Sequence, residues 1–247
     1  MRILGVIDLR GGLAVHARGG SRAAYAPVSG GALAIPAGDA LALARGYAAV
    51  GTTDLYVADL DAIAGGAAQD ARVTALASPG MPLWLDAGIR TAAGALRACT
   101  LGARHVVAGL ETLTSERALR DICIQVGGER VALSLDLRDG VPLAPHAGGA
   151  YPGQPAPVVA ARAAAAGVGA IIVLDLGRVG KACGPDEHLL ARVRDAAPSV
   201  TLLAGGGMRD GADLERLMSL GYDGALVATA ILEGRLTTRD IAVHTSR

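Results

Sequence analysis

Eight short apolar runs punctuate this chain, and helix-length segments separate them. ILGVID, DLYVADL, PLWLDAG, HVVAGL, VALSLDL, AIIVLDL, TLLAGGG and GALVATA are each dominated by branched or aliphatic side chains. A continuous apolar run, unlike an alternating one, is the pattern of a strand buried on both faces. Between the runs lie segments of helical period such as GDALALARGYAAVG, RTAAGALRACTLG, APVVAARAAAAGVG and DGADLERLMSLG. These close on glycine, as helix C-termini commonly do. Doubly buried strands joined by helices make a parallel sheet covered by helices. Eight such units in 247 residues predict an α/β fold, a closed (β/α)8 or TIM barrel spanning 1–247 as one domain. An open doubly wound sheet is the alternative, but the Gly-x-Gly-x-x-Gly expected after its first strand is missing.

The chain also echoes itself. IDLRGG from Ile7 returns as LDLRDG from Leu135, matching Asp8 to Asp136, Arg10 to Arg138 and Gly12 to Gly140. AGIRTAAGALRACTLG from Ala87 returns as GGMRDGADLERLMSLG from Gly206, matching Gly88 to Gly207 and Arg90 to Arg209. The two echoes are in the same order and lie close to half a chain length apart. They predict two four-strand half-barrels, with strands 1 and 5 facing each other.

Charge and cysteine usage exclude several function classes. Acidic and basic residues number 23 each, so the net charge is zero and no nucleic-acid backbone is an expected partner. Arg10, Arg18 and Arg22 still offer a local anion site. Cys99, Cys123 and Cys183 are odd in number and widely spaced, which fits neither a disulfide framework nor zinc. The first residues enter the RILGVID run without a charged leader, and no run is long enough to span a membrane. A cytoplasmic monomer or homo-oligomer, with no membrane or nucleic-acid partner and no cofactor, is the expectation.

In such barrels chemistry sits at the C-terminal ends of the strands. Asp8 and Asp136 each end an apolar run at equivalent places in the two halves, where a carboxylate can serve as acid or base facing a central cavity. Ion pairing with Arg10 or Arg138 is the structural alternative. The glycine run Gly205, Gly206 and Gly207, with Ala228 and Thr229 in the next unit, predicts a phosphate site. Bare amides there approach an anion closely, and a helix start adds a favourable dipole. A plain tight turn is the competing reading.

Together VIDLRGGLAV, VADLDAI, DAGIRT, LSLDLRDG, LLAGGGMRDGADL and GALVATAILEG resemble the HisA/HisF histidine-biosynthesis barrel family over essentially the whole chain. The resemblance implies a substrate with a phosphate at each end and acid–base work by Asp8 and Asp136. It maps the distal phosphate onto Gly206, Gly207, Ala228 and Thr229. Three departures stand out. Where the family isomerase keeps a threonine and, five residues on, its acidic proton donor, this chain has Leu174 and Val179. Where the family has GGGIR, it reads DAGIR, so Asp86 sets a carboxylate where amides meet a phosphate. Glu111 adds a further negative charge to that half.

These departures predict one phosphate site kept and the other altered to take a cationic, metal-bound or hydroxyl-rich group near Asp59, Asp61 and Asp86. Arg18 and Asp175 complete the expected substrate contacts. Lys181, the only lysine, follows strand 6 two residues beyond Val179. It is a candidate proton donor, counter-ion or Schiff-base nucleophile, against the plainer reading of a surface lysine. The expected function is isomerase-like chemistry on a phosphorylated small molecule, in a family paralogue reassigned to another substrate. The alternatives are the histidine-pathway ribotide isomerase itself, a tetrahydromethanopterin-linked one-carbon paralogue, and a barrel that binds a phosphometabolite without turning it over. The Asp8/Asp136 pair also resembles the family's cyclase, which needs a glutaminase partner.

Overall fold

The computed structural model describes residues 1–16, 25–78, 80–143 and 149–245. Each of the eight apolar runs forms a strand: β1 (Arg2–Arg10), β2 (Asp54–Asp59), β3 (Leu83–Asp86), β4 (Ala103–Gly109), β5 (Val131–Arg138), β6 (Ala170–Asp175), β7 (Thr201–Gly205) and β8 (Gly224–Val227). Each pairs in parallel with the next. β8 then pairs with β1, Arg2 opposite Gly224, and closes the barrel. Helices α1 (Ala40–Val50), α2 (Asp70–Ala77), α3 (Ala92–Thr100), α4 (Glu116–Val126), α5 (Ala156–Ala166), α6 (Glu187–Ala196), α7 (Gly211–Ser219) and α8 (Thr238–Thr245) surround it. The predicted fold class is borne out.

The echoes in the sequence have a backbone cause. At the end of β1 the chain reverses into an antiparallel strand, with Arg10 opposite Leu13. At the end of β5 it does the same, with Arg138 opposite Val141. The two central residues of each turn have positive φ, 55° and 81° at Gly11 and Gly12, 52° and 78° at Asp139 and Gly140. That is the two-residue hairpin whose twist matches its strands, and it favours Gly, Asp and Asn. The second echo is a loop and its helix. Thr91 and Asp210 cap α3 and α7 at equivalent places, each side chain accepting from a backbone N–H of the first turn.

The barrel interior is filled, not hollow. Leu4, Trp84, Val107, Ala132, Ile172, Leu203 and Leu226 pack together inside it, and a larger apolar layer joins the outer strand faces to the helices. With no phenylalanine in the chain, the single Trp84 supplies much of this volume at the strands' N-terminal end. Its indole N–H donates to Asp54 (3.0 Å), which also pairs with Arg2 (2.7 Å). Its ring stacks on His105 at 3.9 Å.

Partial burial, and then the Arg2 charge, push the His105 pKa from 6.5 down to about 4. The unfolded chain therefore binds a proton over this interval that the folded chain refuses. Stability is fully present above about pH 6.5 and is lost as pH falls toward 4. His105→Phe keeps the stack and removes the proton. Its melting temperature is expected to fall less between those two pH values than that of the wild type.

Candidate active site

The C-terminal ends of the strands open into a cavity of about 420 Å³. Strand parity decides which residues reach it, because successive side chains point to opposite faces. Val6 and Asp8 on β1, Tyr56 and Ala58 on β2, and Asp86 on β3 all line it. So do Asp136 and Arg138 on β5 and Leu174 on β6. Asp8, Asp86 and Asp136 are thus brought to one space. Glu111, just after β4, lines the same space.

Asp59 and Asp175 are one residue out of phase with this pattern and do not line the cavity. Asp59, 1% exposed, accepts from the Ala62 N–H (3.1 Å), the Gln69 N–H (2.7 Å) and the Gln69 side chain (3.0 Å). It caps the short helix Leu60–Ile63. Asp175 accepts from the N–H groups of Gly177 (2.9 Å) and Asp139 (3.3 Å) and faces Arg178 at 3.4 Å. Both carboxylates hold loops, in place of the substrate contacts expected of them. Asp61 likewise accepts from the Gly11 N–H at 2.8 Å. Arg18 lies outside the described residues.

Lys181 is exposed, and its loop neighbours Val179, Gly180 and Ala182 line the cavity while it does not. Lys181→Met is accordingly expected to leave turnover unchanged in a steady-state assay, which the proton-donor and Schiff-base readings both forbid.

On the β7–β8 side, Gly206, Gly207, Ala228 and Thr229 line the cavity, whereas Gly205 is buried within the strand and does not. Gly206 has φ +98°, and a Cβ there would run into the Asp175 carbonyl oxygen. Only glycine fits this conformation without strain. Neighbouring groups fasten these loops together. The Gly184 N–H donates to the Gly207 carbonyl (2.9 Å), and Arg235 donates to the carbonyls of Met208 (3.3 Å) and Arg209 (2.5 Å). His16 Nε2 and Thr229 Oγ1 are hydrogen-bonded at 2.9 Å, tying the antiparallel strand Leu13–His16 after β1 to the start of the short helix Thr229–Leu232.

Below the glycine loop, Asp213 at 0% exposure accepts from the Arg209 N–H and guanidinium and from Arg216. Burial opposes its charge, but these donors prevail and hold its pKa below the usual carboxylate value. Its contribution to stability is therefore present above the ordinary carboxylate pKa and is lost as pH falls through the lowered folded value.

Two residues escaped the sequence reading. Tyr56 lines the cavity together with Asp86, Asp136 and Asp8, and Ser134 donates to Asp136 Oδ1 at 2.7 Å. Parity was the available signal: Tyr56 stands two residues before Ala58, and Ser134 two before Asp136, on the inward face.

A closed (β/α)8 barrel whose strand ends gather carboxylates beside a glycine loop has the architecture of a barrel enzyme. The chain belongs to a particular family of these: residues 2–237 match the family model described as histidine biosynthesis protein. Among its relatives is an isomerase from Thermus thermophilus, 32% identical over 97% of this chain and 98% of its own length. Another, from Thermomicrobium roseum, is 31% identical over 96% and 94%. A third, from Deinococcus radiodurans, is 33% identical over 79% and 82%. All three are named as imidazole-4-carboxamide isomerases, with two phosphoribosyl groups specified in the name of the substrate. This chain is an isomerase-type enzyme related to HisA and HisF.

Proposed function

We propose that this protein is a ribotide isomerase, converting the aminoaldose end of a bis-phosphoribosyl imidazole carboxamide into an aminoketose. The observation that carries the reading is the placement of Asp8 and Asp136. They sit at equivalent ends of opposed strands, facing one cavity that Gly206, Gly207, Ala228 and Thr229 also line. The names of the full-length relatives favour this over a reassigned paralogue.

The chemistry asks for one acid and one base. Protonation of the ribose ring oxygen opens the ring to a Schiff base. Removal of the proton at the neighbouring carbon gives an enolamine, which tautomerises to the ketone. The redox change is internal to the sugar, so the step needs no added oxidant or reductant. Asp8 and Asp136 supply the two roles in this account, and general acid–base catalysis of this kind contributes about 10²–10⁴-fold. Val179 has no proton to give, so this reading assigns the acid to the strand-end pair. Amides of the glycine loop and of Thr229 take a substrate phosphate, which anchors the sugar at a fixed distance from the carboxylates.

One specific feature supports a second reading. Asp86 and Glu111 line the cavity on the β3–β4 side, where an anion would meet repulsion that grows as water is excluded. A substrate with one phosphate and a neutral or cationic far end suits that half better. Incubation of purified protein with the ribotide, followed by ¹H and ³¹P NMR, separates the two. Appearance of the aminoketose supports the first; neither binding nor conversion of the ribotide supports the second.

A further inference from the structure

We infer that Arg138 takes the second phosphate of the substrate at the cavity mouth, in place of a site on the β3–β4 side. This rests on the ribotide reading, and it answers the repulsion set up by Asp86 and Glu111. Four carboxylates line the cavity, those of Asp8, Asp86, Glu111 and Asp136. A ligand with a phosphate at each end brings further negative charge into that space, and the glycine loop serves only one of the two. The other needs a cation, because repulsion between like charges grows as water is displaced.

Three of the lining residues can carry positive charge: His16, Arg138 and Arg235. Two of them are engaged by the protein. His16 Nε2 is hydrogen-bonded to Thr229 Oγ1 at 2.9 Å. Arg235 donates from Nε to the Glu233 carboxylate (2.9 Å) and from Nη1 to the Met208 and Arg209 carbonyls. Arg138 forms no hydrogen bond or ion pair among the described residues. Asp136 Oδ1 accepts from Ser134 at 2.7 Å, and the ion pair that Arg138 could have made to this carboxylate is not formed.

The backbone explains why the guanidinium faces the cavity. Asp136 and Arg138 are two residues apart on β5 and share its inward face, with Cα atoms about 7 Å apart. Asp136 is 8% exposed, whereas Arg138 is exposed at the last position of the strand. The hairpin pairs Arg138 with Val141, so the ladder holds its Cα in place. A planar guanidinium matches two phosphate oxygens at once. With one phosphate on Arg138 and the other on the glycine loop, the sugar between them is held beside Asp136, one step deeper on the same strand.

Binding is read by titration calorimetry in an Asp8→Asn background, which leaves the ligand intact, with the ribotide and its two singly dephosphorylated forms. Arg138→Met keeps the stem and removes the charge. It is expected to raise the Kd of the ribotide about 10- to 100-fold, through loss of charge-assisted hydrogen bonds. Arg138→Lys is expected to recover part of that loss, because an ammonium keeps the charge but not the fork. One dephosphorylated form should bind equally well with or without Arg138→Met, and Gly206→Ala should weaken it. The other form should show the reverse pattern.

A Kd unchanged by Arg138→Met, or raised equally for all three ligands, would overturn the proposal. If the wild type converts the ribotide and Arg138→Met binds it as tightly, the phosphate contact fails and the isomerase reading stands. If the crossed pattern is found and the wild type leaves the ribotide unconverted, the reading fails and the contact stands.

Discussion

Asp136→Asn is expected to lower kcat by about 10²–10⁴-fold, the span general acid–base groups command, while the protein stays folded. Asp136 is 8% exposed and shares its cavity with Asp8, Asp86 and Glu111. Asparagine keeps the shape and still accepts the Ser134 hydrogen bond. Asp8→Asn is expected to match the kcat loss. The double variant should fall little further than either single, since acid and base act as a unit. Steady-state kinetics and calorimetry on the same preparations check both halves. A fall in stability with full activity would mean the carboxylate holds the fold and not the reaction.

Gly206→Ala is expected to raise KM roughly 10- to 100-fold, the loss of charge-assisted bonds worth about 1.5–3 kcal/mol. The φ of +98° is unfavourable for alanine, and the new Cβ would collide with the Asp175 carbonyl oxygen. That carbonyl is strand-end backbone and cannot swing aside as a side-chain tip would. The glycine loop must shift, and with it the amides proposed to hold the phosphate. Because the loop's far side is fastened by Arg235 and Gly184, the damage should stay local. Inorganic phosphate as a competitive inhibitor gives a second reading, its inhibition constant rising in parallel with KM. An unchanged constant would place the phosphate elsewhere.

The barrel was legible because its strands are buried on both faces and so spell themselves as unbroken apolar runs. The half-barrel repeat was legible for a backbone reason: hairpins with two positive-φ residues admit few side chains, so Gly11-Gly12 and Asp139-Gly140 recur. The site was legible only in part. Asp8, Asp59, Asp86, Asp136 and Asp175 all end strands and look alike as letters. What separates them is phase. Asp8, Asp86 and Asp136 fall on the inward face, whereas Asp59 and Asp175 fall on the other and turn to loop amides. Strand limits uncertain by a single residue reverse that assignment, which is why sequence spacing alone pooled them. Lys181 was conspicuous by its rarity, and rarity carries no direction: its loop faces the cavity through Val179 and Gly180, and its own side chain does not. Tyr56 and Ser134 went unnoticed for the opposite reason, being ordinary residues inside apolar runs.

The central claim is that an Asp8/Asp136 pair isomerises the ribotide without the acid missing at Val179. Its most direct test follows the purified wild type, Asp8→Asn and Asp136→Asn by ¹H NMR in D₂O with the ribotide as substrate. The wild type should form the aminoketose with solvent deuterium entering at the nitrogen-bearing carbon of the opened sugar, and neither variant should do so at a comparable rate. Conversion by wild type and both variants alike, or a wild type that binds the ribotide and leaves it unchanged, would contradict the account.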